Sequence, residues 1–156
     1  MTRRFRSKRF IPNRTLARKL VVFQLGSEKY AISIERVYRI LNNFKLHGVS
    51  ESGRSLISYN NEIITIIDPS QLLVSSRDDR ERQYLIICTL IDGQNFGITV
   101  PEIPSVLEVA EDKFGDVPEI YQQGKVSDAI EKAIQLEDSK ILFYLNLDKL
   151  MKNAIA

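Results

Sequence analysis

The chain has 156 residues, 44% of them apolar, with 22 Lys or Arg against 20 Asp or Glu and a net charge of +2. That length holds one ordinary domain or two very small ones, and the apolar share is enough for a core. A single cysteine and a single histidine exclude a disulfide framework and a zinc site, and no apolar run reaches the ~18 residues of a membrane span.

Charge divides the chain first. Residues 1–20 carry eight Lys or Arg and no acid, leaving 14 basic against 20 acidic residues over 21–156. Residues 1–19 therefore read as a basic, flexible arm on a mildly acidic body, 20–156. The arm has no apolar stretch of signal-peptide length, so a cytoplasmic protein without membrane insertion is expected. The arm also opens a second reading, a nucleic-acid-binding small-barrel protein that uses the Arg-rich segment.

The body begins with two extended runs, "LVVFQL" (Leu20–Leu25) and "KYAISI" (Lys29–Ile34). Tyr30, Ile32 and Ile34 alternate with Ala31 and Ser33, the period of a strand with one buried face. The short gap "GSE" makes the pair a hairpin, and a short helix is expected to begin near Val37. The polar stretch "NNFKLHGVSESGR" holds His47, which no Ser or Cys motif frames as a general base. "SLISY" then turns back into "EIITII" at Asn60-Asn61, residues that tolerate left-handed angles. Asp68 is placed to cap a short helix with Pro69 in its first turn. "SSRDDRERQ" (Ser75–Gln83) reads as an exposed link, with Asp78 and Asp79 solvated.

Beyond the link the pattern repeats. "EKYAISIERVYRIL" (Glu28–Leu41) returns 66 positions later as "QNFGITVPEIPSVL" (Gln94–Leu107), placing Tyr30 on Phe96, Ile40 on Val106 and Leu41 on Leu107. "YLIICTLI" and "NFGITV" flank Asp92-Gly93, a dipeptide suited to a type I′ turn. The first of these strands is apolar on both faces and is expected deep in the molecule. "NEIITIIDPSQLL" (Asn61–Leu73) returns at an offset of 78 as "SKILFYLNLDKLM" (Ser139–Met151), placing Ile67 on Leu145. "VSDAIEKAIQLE" has the spacing of an amphipathic helix with Ser127 as its cap, but the repeat assigns it to a strand turning at Glu137-Asp138-Ser139, with Asn146 or Asp148 capping a last helix.

Each half, about 20–75 and 84–152, thus reads as two hairpins joined by a short element. A lone hairpin is not stable, and closing strands into a barrel removes their exposed edges. The fold class is therefore mainly β: two small barrels packed side by side, with short connecting helices and a ligand groove expected at their seam. No catalytic residue, metal ligand, phosphate loop or cofactor site is found. Asp112 and Asp116 lie in hydrophilic stretches and read as solvated. Tyr30, Phe96 and Phe143 sit in apolar or alternating contexts that make them core and not a stacking platform for bases.

The frame "FQLGSEKYAISIERVYRIL … IITIIDPSQLL … YLIICTLIDGQNFGITVPEIPSVLEV … ILFYLNLDKLM" resembles the CheW-like family of bacterial chemotaxis adaptors over about residues 20–152. The resemblance implies two intertwined five-stranded barrels of the Src-homology-3-like type. It implies a non-catalytic scaffold joining the cytoplasmic tip of a chemoreceptor, or a related receptor, to the regulatory domain of a CheA-type histidine kinase, with no small-molecule substrate. By position in the family pattern the receptor-facing groove falls to Val37, Tyr38 and Arg39 on one side and to Asn60, Ile86 and Val100 on the other. The chain departs from the pattern at Arg39, where the family usually has an acid, and at Pro101, where it usually has Asp. It departs also across Ser55–Asn61, which lacks the usual arginine and glycines. These departures imply an adaptor with an altered partner.

Overall fold

The structure, a computed structural model, describes residues 16–48, 54–73, 78–119 and 129–155. Residues 1–15 of the arm and Ser127, the candidate helix cap, lie outside the described residues. Among the described residues, eleven strands form two sheets: β1 (Ala17–Leu25), β2 (Glu28–Ser33), β3 (Val37–Leu41), β4 (Arg54–Tyr59), β5 (Glu62–Ile67), β6 (Tyr84–Thr89), β7 (Asn95–Val100), β8 (Ser105–Ala110), β9 (Phe114–Gly115), β10 (Ile130–Gln135) and β11 (Ile141–Leu145). Two helices are present among the described residues, α1 (Ser70–Leu73) and α2 (Leu147–Ile155).

Strand order is β8-β1-β2-β11-β10-β9 in one sheet and β3-β6-β7-β5-β4 in the other. The repeat maps one order onto the other, but it does so across the link. In the first sheet the hairpin β1–β2 sits between strands of the second half, and in the second sheet β6–β7 sits between strands of the first half. The expectation that each half closes a barrel of its own is corrected here: the two halves exchange their first hairpins. The ladders agree residue for residue. Phe143 pairs with Tyr30 in the parallel β11–β2 ladder, and Thr65 with Phe96 in the parallel β5–β7 ladder. Leu20 pairs with Leu107, and Leu85 with Leu41.

Each sheet is closed by one segment that pairs with both of its edges. β8 pairs with β1, and after the 3-10 turn Glu111–Lys113 its continuation β9 pairs with β10. In the second sheet β3 pairs with β6, and His47 further along exchanges backbone bonds of 2.7 and 2.8 Å with Leu56 of β4. Closure of this kind leaves little free edge for unwanted strand pairing.

Three apolar clusters follow from this arrangement. Leu20, Val22, Ala31, Ile134, Leu142 and Tyr144 fill the inside of the first barrel. Ile57, Ile64, Ile66, Leu85 and Ile87 fill the inside of the second. The largest cluster lies between the barrels and includes Phe23, Tyr30, Ile32, Ile86, Cys88, Phe96, Ile98, Val100, Phe143 and Leu145. Alternate side chains of β1 and β6 go into a barrel and into the seam, which is why both strands are apolar on both faces. The seam is therefore a filled core and not the open groove the sequence suggested.

Local signals resolve in detail. Asn60 and Asn61 have φ of 51° and 62°, the left-handed pair a two-residue hairpin turn requires. Asp138 and Ser139, at 64° and 62°, turn β10 into β11. Asp68 Oδ1 accepts the Ser70 N–H at 3.0 Å and so caps α1, and Asn146 Oδ1 accepts the Lys149 N–H at 3.0 Å to cap α2. Ile130–Gln135 is a strand, as the repeat required.

Three expectations change. The Asp92-Gly93 tip is not a type I′ turn: only Gly93 has positive φ, and its N–H donates to the Leu90 carbonyl at 2.9 Å within a longer loop. No helix begins at Val37; a single 3-10 turn, Ile34–Arg36, leads straight into β3. The arm boundary at residue 19 moves back, because β1 starts at Ala17. Arg18 lies 4.9 Å from the centroids of both Phe114 and Tyr144 and donates to the Tyr144 hydroxyl at 2.6 Å.

Candidate functional site

β3 is the strand on which three of the six sequence-selected residues stand. The Ser33 hydroxyl accepts the Glu35 N–H at 3.3 Å and sets the 3-10 turn. Arg36 donates to the Thr89 carbonyl at 3.0 Å and ties the turn to the end of β6. Val37 pairs with Cys88 and Arg39 with Ile87, neighbouring residues on β6, so Tyr38 is the extra residue of a bulge. A bulge breaks the alternation of a strand and re-aims its side chains. Tyr38, Arg39 and Ile40 are in consequence all exposed, while Val37 is half-buried against the seam core. The Arg39 guanidinium stands 5.9 Å from the centre of the Tyr38 ring.

The other three residues are placed differently. Ile86 and Val100 are 0% exposed in the seam core, so neither side chain reaches the surface. Ile86 pairs with Ile40 of β3 from the neighbouring strand, and Val100 stands one strand further in, on β7, paired with Tyr84. Asn60 is exposed in the β4–β5 turn, on the strand at the other end of the sheet order from β3. The structure thus brings Val37, Tyr38 and Arg39 together, adds Ile40, and leaves Asn60 apart.

Other exposed apolar side chains went unremarked in the sequence. Ile103 is 69% and Val106 60% exposed at and before β8, and Ile63 and Ile141 are 74% and 46% exposed. The signal was available in the repeat: Val106 is the counterpart of Ile40, and Ile141 of Ile63. An apolar residue kept outward in both copies is a surface feature that occurs twice. β8 also walls an open groove of about 880 Å³, whose lining includes Val106, Leu107, Leu136 and the mixed charges of Glu108, Lys113 and Lys140.

The link reads differently from its sequence. Asp78, expected to be solvated, is buried, and its carboxylate accepts from the Gly26 N–H at 2.8 Å and from the Arg80 guanidinium at 2.6 Å. The Arg80 guanidinium holds the Asp78 carboxyl well below the usual carboxylate range, overcoming the desolvation that pushes it up; the Gly26 N–H acts in the same direction as Arg80. Arg82 donates to the Asp78 carbonyl at 2.9 Å and lies 3.4 Å from Asp68, and Arg80 reaches Glu102 at 2.6 Å. Asp112 and Asp116 are exposed, as expected. Burial pushes the Cys88 thiol far above its ordinary range, so it is inert in the folded chain. Among the described residues, no group of three His, Cys, Asp or Glu is placed to hold a metal ion. Among them, too, no helix is long and apolar enough to cross a membrane.

The family model described as "CheW-like domain" matches residues 19–154. The crystal structure of the scaffolding protein TtCheW from Thermoanaerobacter tengcongensis is similar with a TM-score of 0.73 at 20% sequence identity, covering 92% of this chain and 93% of that one. At that identity the likeness shows the fold. No curated protein matches the chain.

Proposed function

The chain belongs to the CheW-like domain family, and on that premise we propose that it is a non-catalytic cytoplasmic adaptor of a chemotaxis-type pathway, joining a receptor to a CheA-type histidine kinase. The observation that carries this reading is the bulged edge strand β3, which presents Tyr38, Arg39 and Ile40 together on a rigid, core-backed element. Exposed aromatic, Arg and aliphatic side chains on a fixed backbone are what a protein partner buries at little entropic cost. Val37, Tyr38 and Arg39, with Ile40 beside them, are the proposed receptor contacts, while Asn60 stands apart and Ile86 and Val100 are buried in the seam core. The kinase partner would be its regulatory domain, and the receptor partner its cytoplasmic tip. Against the nucleic-acid reading, Tyr30, Phe96 and Phe143 are buried and so do not offer bases a stacking surface.

Affinity purification of the full chain from its native cell tests the proposal. A CheA-type kinase should co-purify and should stay bound at salt concentrations that strip nucleic acid from a basic arm. Recovery of nucleic acid alone, lost on raising salt, would overturn it.

A further inference from the structure

β3 and β8 hold the same place in the two barrels, and their ladders set them side by side residue for residue. Ile40 pairs with Ile86 and Val106 with Val21; Arg39 pairs with Ile87 and Ser105 with Val22. Arg39 and Ser105 are thus equivalent positions, and both are exposed. A neutral serine serves the fold at that point in one barrel, so the fold does not require a cation there in the other. The two arginines at β3 also differ in what they do. Arg36 is taken up within the molecule: it donates to the Thr89 carbonyl at 3.0 Å and lies 3.9 Å from Asp148. Arg39 makes no ion pair among the described residues; its guanidinium stands by the Tyr38 ring, 5.9 Å from the centre. The Tyr38 hydroxyl likewise makes no hydrogen bond among the described residues. Residues 21–156 carry 14 basic against 20 acidic groups, so Arg39 is a positive point on a negative body.

We propose, resting on the adaptor reading above, that Arg39 is the specificity-determining residue of the β3 face and that the receptor segment it selects is both acidic and apolar. An Asp or Glu of that segment meets the Arg39 guanidinium, and aliphatic or aromatic side chains beside it cover Tyr38 and Ile40. The backbone that carries Arg39 is fixed by its ladder to β6, whose Leu85, Ile86, Ile87 and Cys88 are fully buried. A guanidinium held on a rigid strand offers a planar fork that a carboxylate can meet with two bonds, which gives register as well as attraction. Tyr38 and Ile40, 50% and 38% exposed, supply the apolar part of the contact. The charge also fixes where an acidic segment lands, because the net charge of the body repels it elsewhere, and a basic segment is rejected at β3 itself.

Calorimetric titration of the full chain with a receptor-tip fragment from its native cell, at low and at physiological salt, tests this with the wild type, Arg39→Ser and Arg39→Glu. Circular dichroism should show both variants folded, since the position is exposed and its equivalent is a serine. Arg39→Ser should bind about two- to fivefold more weakly, the loss of a partly exposed ion pair. Arg39→Glu should bind about tenfold more weakly or worse, because like charges then face each other. Salt should weaken the wild type more than Arg39→Ser. Changing the acids of the fragment to Lys one at a time should yield one fragment that binds Arg39→Glu more tightly than it binds the wild type. A wild type and Arg39→Glu that bind the unaltered fragment equally would overturn the proposal and leave the adaptor reading standing. A wild type that fails to bind the fragment would overturn the proposal together with the receptor half of that reading. Should Arg39→Glu fail to fold, Arg39→Ser and its salt dependence decide between the same outcomes.

Discussion

The two exchanged hairpins, β1–β2 and β6–β7, occupy the same position in their sheets and the same register, yet their tips are held in unlike ways. The first has a two-residue turn at Gly26-Ser27 whose N–H meets a buried carboxylate, Asp78. The second has a longer loop in which the Ile91 N–H meets Asp148 at 3.1 Å, with Arg36 3.9 Å from that carboxylate and the Asp148 side chain 39% exposed. In both copies an aspartate accepts from the tip and an arginine stands behind it. Only the first aspartate is taken out of water: the Asp78 side chain is 3% exposed, while Arg80 stays 44% exposed. Duplication has kept the part of the design that packing enforces, which is strand order, register and the apolar seam, and has let the fastenings diverge.

The largest effects should be equal in the two copies, because they concern what was kept. Tyr30 and Phe96 are counterparts in the seam, 1% and 0% exposed. Each cut to Ala should cost about 3–5 kcal/mol of unfolding free energy in denaturant titration. Tyr30 should sit at the upper end, since it also loses its bond to Leu73. A difference between them of more than about 2 kcal/mol, larger than the spread expected for one site type, would break the equivalence of the barrels.

A smaller effect separates the copies. Asp78→Ala removes the partner of a buried N–H and of a charged guanidinium and should cost about 2–4 kcal/mol. Asp148→Ala, at an exposed and loosely paired carboxylate, should cost under about 1 kcal/mol. At ~2–4 °C per kcal/mol for a chain of this size, the two thermal midpoints should lie several degrees apart. Equal midpoints would remove the asymmetry.

The same contrast has a pH signature. The Asp78 carboxyl is held below its ordinary range in the folded chain, so the unfolded chain binds its proton first as pH falls. The stability it adds is complete above the ordinary aspartate value of about 4 and is lost as pH drops below that value toward the folded one. The stability gap between wild type and Asp78→Asn should therefore be flat near neutrality and shrink below about pH 4.

What the sequence disclosed follows the same division. Period-two alternation, the doubled apolar strand at Tyr84–Ile91 and the left-handed Asn60-Asn61 pair gave the strands, because local backbone rules and burial write themselves into residue types. The repeat assigned Ile130–Gln135 to a strand against its own helical spacing, since tertiary pairing with β11 outweighs propensity. Which half a hairpin joins was not legible in the repeat: pairing across the link and pairing within a half use the same apolar pattern. The resemblance alone implied the intertwining. Asp78 was misread because a buried carboxylate and a solvated one look alike in a charged run until Gly26 is brought beside it. Tyr38 and Arg39 are exposed and Val37 half-buried, on a strand where a helix was expected. The burial of Ile86 and Val100 was not legible, because an apolar residue on a strand gives no sign of which face meets solvent when both faces are buried.

The adaptor reading rests most heavily on β3, and one titration addresses it. Calorimetric titration of a receptor-tip fragment with the wild type and Val37→Asp, alongside circular dichroism and an Ile66→Asp control, separates surface from core. Ile66 is 1% exposed inside the second barrel, so a carboxylate there should unfold the chain. Val37→Asp should stay folded and bind at least about tenfold more weakly, the cost of desolvating an unpaired carboxylate at a contact. A folded Val37→Asp chain that binds the fragment as tightly as the wild type would contradict the account.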